Sequence, residues 1–462
     1  MSQLTKLVSS SSSTILIAIV KILELSFISN SLNDEVKGIY ALLNLQLLIS
    51  VLLSEMGIQN AVYSIGGYTI EIKRSLYWYN FLKSIIFWTS GFLILSFLPI
   101  PQEYEQHFYL LNNLILINGI GKIFRSFLIL ENDINTVSIT ELISTLIGVL
   151  FTILFIQHLG VSAFVYGLLL KHGLDNFTYL LIQFRSIQLI GPIAWKNIRE
   201  TVKIGVFDMS SQIINLISKE LDTLLITTFL GLETIGVMNI GKQLILKPIR
   251  IVSPVFNNLY YSLFAKTAND SAKYKAYLGS QLKMNSFIIT VGYSIILILL
   301  DLITHFFFSN TTYKNIQPLL ILFILLGVYR GYWSVLGSFI LSKGLTKRAL
   351  LFNAFYLLLN IVSSYVILLI FNELVYIGLN ILSLFVFQFI SYKIFYSNYI
   401  QLKKYYRLTV FNSWPLLIML IMKVYIISKT YFLFFSIITI LIYTYFNYKS
   451  VINAFKTYQK GQ

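Results

Sequence analysis

Long apolar runs, separated by short polar segments, cover almost the whole chain. A run of about 20 mostly apolar residues lets an α-helix cross the hydrocarbon core of a bilayer. By this rule the pattern predicts an all-α polytopic membrane protein with about fourteen transmembrane helices and no loop the size of a soluble domain. The predicted spans are 9–30, 39–64, 76–98, 108–130, 136–157, 161–184, 204–230, 235–264, 284–308, 317–342, 348–371, 374–396, 408–427 and 430–448.

Composition supports this expectation and narrows the chemistry. The 462 residues are 56% hydrophobic and 12% charged, whereas a soluble domain carries about 25% charged residues. There is no cysteine, and the four histidines are scattered without metal-ligand spacing. We therefore expect no disulfide, no thiol nucleophile, no metal site and no cofactor, and the family resemblance described below implies a protein that is not an enzyme. The N-terminal apolar run is interpreted as a retained first helix and not as a cleaved signal peptide.

Lysine and arginine residues in the loops indicate the orientation, because cytoplasmic loops are enriched in them. With the N-terminus inside, the inner segments hold 21 of these residues, and the outer loops hold three, namely Lys37, Lys314 and Lys429. This split places both termini in the cytoplasm. Much of the net charge of +16 then lies near anionic lipid headgroups, and no nucleic-acid partner is expected.

A sequence repeat divides the chain. Shifting the chain by 198 residues without a gap superposes 12–48 on 210–246 with 11 of 37 positions identical. The two copies are six spans apart and therefore run in the same direction, which predicts a parallel repeat with its pseudo-twofold axis along the membrane normal. The predicted domains are an N-terminal six-helix lobe, an amphipathic linker, a C-terminal six-helix lobe and an additional two-helix hairpin, at 1–190, 191–203, 204–400 and 401–462.

The repeat carries charged pairs inside apolar helices. The shift places Lys21 on Lys219 and Glu24 on Asp222. Each pair has i,i+3 spacing, so a purely structural ion pair is one interpretation. The other is functional, since ionisable residues inside membranes usually mark a transport pathway. A polar stripe along the seventh helix, which includes Lys219 and Asp222, favours two facing walls of one central cationic cavity.

Eleven of the 35 cations fall within predicted spans, after subtracting 21 and three. Arg125, Lys171 and Lys83 lie close enough to helix ends to reach the interface. Lys247, Arg250 and Arg330 have no carboxylate three or four residues away. These three are predicted to bind an anion, unless a partner such as Glu141 or Asp175 comes from another helix. Glu55 adds an acidic residue to the second helix.

Two segments resemble a known family. NSLNDEVKGIYALLNLQLLISVLLSEMGIQNAVY resembles the first helical hairpin of the polysaccharide (O-antigen type) flippases, of the multidrug/oligosaccharidyl-lipid/polysaccharide exporter superfamily. DTLLITTFLGLETIGVMNIGKQLILKPIRIVSPVF is similar to their seventh and eighth helices. Both copies have a GxY-like turn, at Gly38-Ile39-Tyr40 and at Gly236-Val237-Met238, where Met238 replaces the usual aromatic residue. The resemblance covers most of residues 10–400, and two further helices extend beyond the family's common twelve.

The resemblance implies a flippase that moves a polyprenyl-pyrophosphate-linked oligosaccharide across the cytoplasmic membrane by alternating access. The substrate-binding candidates are Lys21, Lys219, Lys247, Arg250 and Arg330, because cations suit phosphate oxygens. The candidates for coupling to H⁺ or Na⁺ and for gating are Glu24, Asp222 and Glu55. A glycan polymerase and chain-length machinery are possible partners.

Three alternatives stay open on the sequence. A multidrug or organic-ion antiporter of the same superfamily would favour an acidic cavity. A major-facilitator carrier would carry a GxxxDRxGRR-like run where this chain has SIGGYTIEIKRSL. A membrane glycan polymerase, the enzymatic alternative, would carry a large outer loop.

Overall fold

The computed structural model is mostly α-helical in the residues that it describes, with short 3₁₀-helices at Gln102–Tyr104 and Trp195–Ile198. These residues are 3–55, 58, 62, 68–97, 100–131, 133–247, 249, 271–309, 316–334, 346–370, 373–396, 402–425 and 429–459. The helices up to residue 247 are α1 Gln3–Ser31, α2 Asp34–Glu55, α3 Ile70–Phe97, α4 Glu105–Asn112, α5 Leu114–Leu130, α6 Ile134–Leu159, α7 Val161–Ile187, α8 Arg199–Leu230 and α9 232–247. Those that follow are α10 Ser271–Ile298, α11 Leu300–Phe307, α12 Ile316–Trp333, α13 Thr346–Ile370, α14 Glu373–Tyr396, α15 Leu402–Tyr425 and α16 Lys429–Gln459.

Each predicted span overlaps one of these helices. Ten helices among the described residues are long and apolar enough to cross a membrane, which confirms the all-α polytopic class. The count of fourteen stays a prediction. The chain forms two compact units, residues 1–240 and 241–462, and the four domain boundaries drawn from the sequence also stay a prediction.

Local signals explain several helix ends. Asn33 accepts a hydrogen bond from the backbone N–H of Val36 at 2.8 Å, so α2 begins five residues before the predicted span. Lys37, which was assigned to an outer loop, therefore lies in the first turn of α2. Asp133 caps α6 by accepting from Thr136 N at 3.4 Å. Gly160, with φ of +55°, separates α6 from α7.

In the first unit, α6 packs against α1 and α7, and α5 packs against α2, α3 and α7. Small residues let these helices approach closely. A Cβ on Gly148 of α6 would lie 2.6 Å from the carbonyl oxygen of Gly167 on α7, and the reverse distance is also 2.6 Å. A cluster of aromatic residues, including Tyr77, Phe124 and Phe127, fills the core between α3 and α5.

The segment after α7 is fixed to the end of α3. Arg74, which is buried, donates to the carbonyl oxygens of Gln188 at 2.6 Å and Pro192 at 3.1 Å. Trp78 Nε1 donates to Leu189 O at 3.0 Å, and Ser75 Oγ accepts from Ala194 N at 2.8 Å. The predicted linker therefore begins as an ordered strap along α3.

In the second unit, α10 packs against α12, α15 and α16. The C-terminal hairpin is attached through polar side chains. Asn412 of α15 donates to Ser286 Oγ at 2.8 Å, and its carbonyl oxygen accepts from Thr290 at 3.0 Å. Lys423 forms an ion pair with Asp301 of α11 at 2.8 Å.

Candidate functional site

The predicted pair on the first helix is formed. Lys21 Nζ donates to Glu24 Oε2 at 2.7 Å. The Glu24 side chain is 6% exposed and that of Lys21 is 24% exposed. The carboxylate is therefore held inside the unit while the ammonium group stays more accessible, and Lys21 makes further interactions beyond this pair.

Glu55, predicted as a coupling residue, pairs with a cation on a different helix. Lys122 Nζ of α5 lies 2.5 Å from Glu55 Oε1 at the end of α2. A small cavity adjoins this pair, and Asn80 and Ser126 also line it.

Two further pairs correct the sequence-based assignment of partners. Glu141 Oε1 accepts from Arg125 Nε at 2.6 Å, and Asp175 Oδ2 accepts from Lys171 at 3.2 Å. Ser144 also donates to Asp175. Glu141 and Asp175, which had been considered as partners for cations elsewhere, are thus engaged within the first unit. Arg125 and Lys171, expected to reach the membrane interface, bind these carboxylates instead.

Lys83 is a second correction. Its side chain was expected to reach the membrane interface, but the residue is buried, with 6% exposure. Its ammonium group donates to Ser54 O at 2.7 Å and to Asn80 Oδ1 at 2.8 Å. Lys83 also lies within electrostatic range of Glu55. Glu55 therefore forms an ion pair with Lys122 and interacts electrostatically with Lys83.

These side chains form one N-terminal charge cluster. Its members come from six helices and are Lys21, Glu24, Glu55, Lys83, Lys122, Arg125, Glu141, Lys171 and Asp175. Lys171 lies within electrostatic range of Lys21, Lys122 and Glu141, which connects the individual pairs. With five cations and four carboxylates, the cluster is close to neutral. Such a set holds its charges by mutual pairing, and the loss of one charge affects its neighbours.

The second copy of the repeat does not reproduce this burial. Lys219 on α8 is exposed, and Asp222 is half-buried, with its Oδ1 accepting from the N–H of Thr223 at 3.1 Å. The carboxylate buried on this helix is Glu220, which accepts from Thr223 Oγ1 at 3.2 Å. Both predicted residues make other interactions as well. Lys219 is the more accessible cation of the two copies.

The remaining candidates belong to the second unit. Lys247, at the end of α9, is half-buried, and so is Arg330 in the last turn of α12, where the helix dipole favours a cation. Arg330 lies within electrostatic range of Tyr293 and Tyr356. Tyr293 links α10 to α9 by donating to Ile245 O at 3.0 Å. Arg250 lies outside the described residues.

Sequence reasoning missed Glu220 and the role of Lys122. Glu220 follows Lys219 in the sequence, but it is not part of the polar stripe that predicted the functional face of α8. Lys122 is 67 positions from Glu55, so no helical spacing connects them. The sequence does contain a signal for Lys122. A cation inside a membrane span must either reach the membrane interface or pair with a carboxylate.

The fold matches solved membrane transporters along nearly the whole chain. It is similar to the lipid II flippase MurJ in an inward closed conformation, with a TM-score of 0.74, 13% identity, and coverage of 96% of this chain and 99% of that one. It is also similar to an inward-facing multidrug-resistance MATE transporter of the MOP superfamily, with a TM-score of 0.63, 14% identity, and coverage of 85% and 98%. The chain therefore shares its fold with these two transporters.

A family profile described as polysaccharide biosynthesis protein matches residues 32–318. The chain belongs to this family.

The chain is 24% identical to the amylovoran biosynthesis protein AmsL of Erwinia amylovora over 222 residues, 44% of this chain and 54% of AmsL. It is 20% identical to the teichuronic acid biosynthesis protein TuaB of Bacillus subtilis over 354 residues, 75% and 72% of the two chains. The match with the lipopolysaccharide biosynthesis protein WzxC of Escherichia coli has 22% identity over 68% of this chain and 65% of that one. The chain thus spans about half the length of AmsL and about two thirds of WzxC.

Proposed function

We propose that this protein is a flippase for a polyprenyl-pyrophosphate-linked oligosaccharide, a repeat unit of a surface polysaccharide. The observation that carries the proposal is a pair of matches. The family is one of polysaccharide biosynthesis, and the fold is shared with a lipid II flippase over 96% of the chain. The name lipid II flippase belongs to a protein that is similar to this chain in fold only. We use it to support a class of substrate, lipid-linked saccharides, and not lipid II itself.

The cations supply the chemistry that such a substrate needs. A pyrophosphate carries negative oxygen atoms at the lipid–sugar junction, and charge-assisted hydrogen bonds from lysine and arginine suit them. Lys219 is exposed and Lys247 and Arg330 are half-buried, so these three are accessible to a ligand in their own units. Lys21 and Arg250 complete the proposed substrate-binding set. The polyprenyl chain stays in the lipid while the sugars pass through the hydrated path.

The acidic residues are proposed to couple transport to an ion gradient. Glu24 and Glu55 hold Lys21 and Lys122 within the N-terminal charge cluster, and Asp222 occupies the position of Glu24 in the second copy. Protonation of such a carboxylate, or Na⁺ binding to it, would release its lysine, because the attraction between the two charges is then lost. No G-x-x-x-x-G-K-[ST] motif for ATP occurs in the sequence, in keeping with an energy source of this kind.

The proposed setting is the bacterial cytoplasmic membrane, with both termini in the cytoplasm. The 21-to-3 distribution of Lys and Arg supports this orientation. The exposed cations Lys196, Arg199 and Lys203 follow the strap fixed by Arg74 and suit anionic lipid headgroups. A glycan polymerase and chain-length machinery would act on the product at the outer face.

A multidrug or organic-ion antiporter is the second candidate, because the MATE fold covers 85% of this chain. An organic cation would need a predominantly acidic site. The N-terminal charge cluster instead has five cations and four carboxylates, and the second-unit candidates are cations. This balance favours an anionic substrate. A glycan polymerase is the less favoured enzymatic alternative.

The test uses a strain that lacks the gene and makes the corresponding surface glycan. We expect the deletion to stop export and to accumulate lipid-linked glycan in the inner leaflet, with both effects reversed by the wild-type gene. Lys219→Ala and Lys247→Ala should each reduce export at normal protein levels. Lys456→Ala, which removes an exposed lysine near the C-terminal end of α16, is the matched control.

Two results would contradict the proposal. If the deletion strain accumulated unpolymerised repeat units at the outer leaflet, the protein would be a polymerase. If export were unaffected and resistance to organic cations fell, the antiporter would be the correct function.

A further inference from the structure

Tyr293 of α10 lies between two helices that carry candidate cations of the second unit. The residue is buried, with 2% exposure. Its hydroxyl group donates to the carbonyl oxygen of Ile245 on α9 at 3.0 Å, and Lys247 follows two residues later. On α12, a Cβ added to Gly327 would meet the Tyr293 hydroxyl group, and Arg330 follows three residues later. One side chain therefore contacts both helices within a turn of each cation.

A direct contact between α9 and α12 gives their register. A Cβ on Gly241 of α9 would lie 2.9 Å from Leu320 Cδ2 of α12. The Tyr293 contact lies further along both helices, so the two helices run in the same direction. Lys247 is then level with position 326, and Arg330 lies about 6 Å further along the axis, close to one helical turn. Lysine and arginine on neighbouring helices at this separation suit the linked phosphates of a pyrophosphate.

The same face of α10 fixes the last turn of α12 around Arg330. Asn285 Nδ2 donates to the carbonyl oxygen of Gly331 at 2.8 Å. A Cβ on Gly331 would lie 2.7 Å from Ile289 Cδ1, so the two backbones approach closely there as well. Tyr293 makes its contact one turn before Arg330 and lies within electrostatic range of it. The backbone of α12 is thus held by α10 on both sides of this cation.

We infer that Tyr293 is a positioning residue for the anion-binding cations of the second unit. The inference rests on the proposed function, in which Lys247 and Arg330 bind the pyrophosphate. Tyr293 acts through these two cations and not by contact with the substrate. Its hydroxyl group holds α9 at Ile245, and its ring fills the space that Gly327 leaves on α12. The separation of the two cations is therefore set before the substrate binds, which lowers the entropy cost of binding.

Tyr293→Phe tests the role, because it removes the hydroxyl group and keeps the ring. The probe is farnesyl pyrophosphate, and isothermal titration calorimetry measures its affinity for the purified full-length protein in detergent. We expect the affinity to fall about threefold to tenfold, as the loss of one hydrogen bond implies. The loss should be smaller in a Lys247→Ala or Arg330→Ala background, because Tyr293 acts through those residues.

The matched control is Tyr443→Phe in the same unit. Tyr443 of α16 is equally buried, with 1% exposure, and its hydroxyl group donates to Asn412 Oδ1 at 3.2 Å. This hydrogen bond joins α16 to α15, and neither helix carries a candidate substrate-binding cation. Tyr443→Phe should lower the unfolding temperature as much as Tyr293→Phe and leave the affinity for farnesyl pyrophosphate unchanged. Equal losses of affinity in the two variants would assign the effect to stability and overturn the positioning role.

A second variant acts from α12. The Cβ of Gly327→Ala would meet the far end of the Tyr293 side chain, so the ring should move aside and release Ile245. We expect a loss of affinity similar to that of Tyr293→Phe, and no larger loss when the two substitutions are combined. Gly292→Ala on α10, where nothing lies within 4 Å of the added Cβ, is the control and should leave the affinity unchanged.

Three results would overturn the inference. They are wild-type affinity in normally folded Tyr293→Phe and Gly327→Ala proteins, undiminished losses in the Lys247→Ala and Arg330→Ala backgrounds, and a wild-type protein that exports glycan but binds no farnesyl pyrophosphate. Failure of the wild-type gene to restore export to the deletion strain would instead reject the proposed function.

Discussion

Lys122 Nζ lies 2.5 Å from Glu55 Oε1, an ion pair that joins α5 to the end of α2 across 67 positions of sequence. The side chains are 22% and 26% exposed, so the pair is neither dry nor freely hydrated. Lys83, whose ammonium group donates to Ser54 O next to Glu55 in the sequence, also interacts electrostatically with Glu55. One carboxylate therefore compensates two lysines, and its neutralisation should disturb both.

Glu55→Gln should lower the stability of the protein. Loss of one partner costs about 3–5 kcal/mol in a fully buried pair, and an exposed pair contributes about 0–1 kcal/mol, so an intermediate cost of about 2 kcal/mol is expected here. Thermal unfolding of the purified protein in detergent measures the change. Glu103→Gln, at an exposed position, should leave the unfolding temperature unchanged.

The double variant Glu55→Gln/Lys122→Gln distinguishes pairing from a general effect of the substitution. It should recover part of the lost stability, because Lys122 no longer needs a counterion. Equal or greater destabilisation of the double variant would show that the two charges act independently.

The sequence predicted pairs within one helix better than pairs between helices. Lys21 and Glu24 are three residues apart, and helical geometry alone places them together. Arg125 and Glu141 lie on consecutive helices, and their contact depends on how α5 and α6 rotate about their axes. Apolar periodicity is too weak to fix that rotation when a helix is apolar on every side.

The class of fold followed from the length of the apolar runs, while some helix ends did not. Lys37 was placed in a loop because the apolar run begins at 39. The polar residues that precede it, Asn33 and Asp34, are an N-cap and an acidic first turn, so a capping signal was present in the sequence. The close approach of Gly38 and Gly236 could be anticipated only in part, since the repeat identifies these equivalent glycines but not their contact.

Arg74→Ala should release the strap that follows α7. The guanidinium group donates to Gln188 O and Pro192 O, and it also packs against Gly191. Hydrogen–deuterium exchange of backbone amides at 188–198 should increase, because these carbonyl groups lose their donor. Lys196→Ala, which alters an exposed side chain of the same segment, should leave the exchange unchanged. Unchanged exchange in Arg74→Ala would mean that Trp78 and Ser75 are sufficient to hold the strap.

Asp301→Asn should loosen the C-terminal hairpin. Asp301 accepts from Lys423 at 2.8 Å and from Gln317 at 3.1 Å, and Lys423 also lies 4.8 Å from the centre of the Phe432 ring. The substitution removes the charge and keeps the shape, so the expected loss is about 1–2 kcal/mol, between an exposed and a buried pair. Faster proteolysis between α15 and α16 and a lower unfolding temperature would report it. The effect should shrink in a Lys423→Met background, and an undiminished effect there would assign the loss to Gln317.

Gly167→Ala and Gly173→Ala should change stability in opposite directions, although both lie on α7. A Cβ on Gly167 would meet Gly148 O at 2.6 Å and Thr152 Oγ1 at 2.3 Å, whereas nothing lies within 4 Å of a Cβ on Gly173. Overpacking costs about 1–3 kcal/mol, and replacement of an unhindered helical glycine by alanine gains about 0.4–1 kcal/mol. Unfolding temperatures of the two purified variants, measured in the same detergent, test the difference. If both substitutions stabilised the protein, α6 and α7 could separate at no cost in free energy. The close contact between Gly148 and Gly167 would then contribute nothing to the stability of this helix pair.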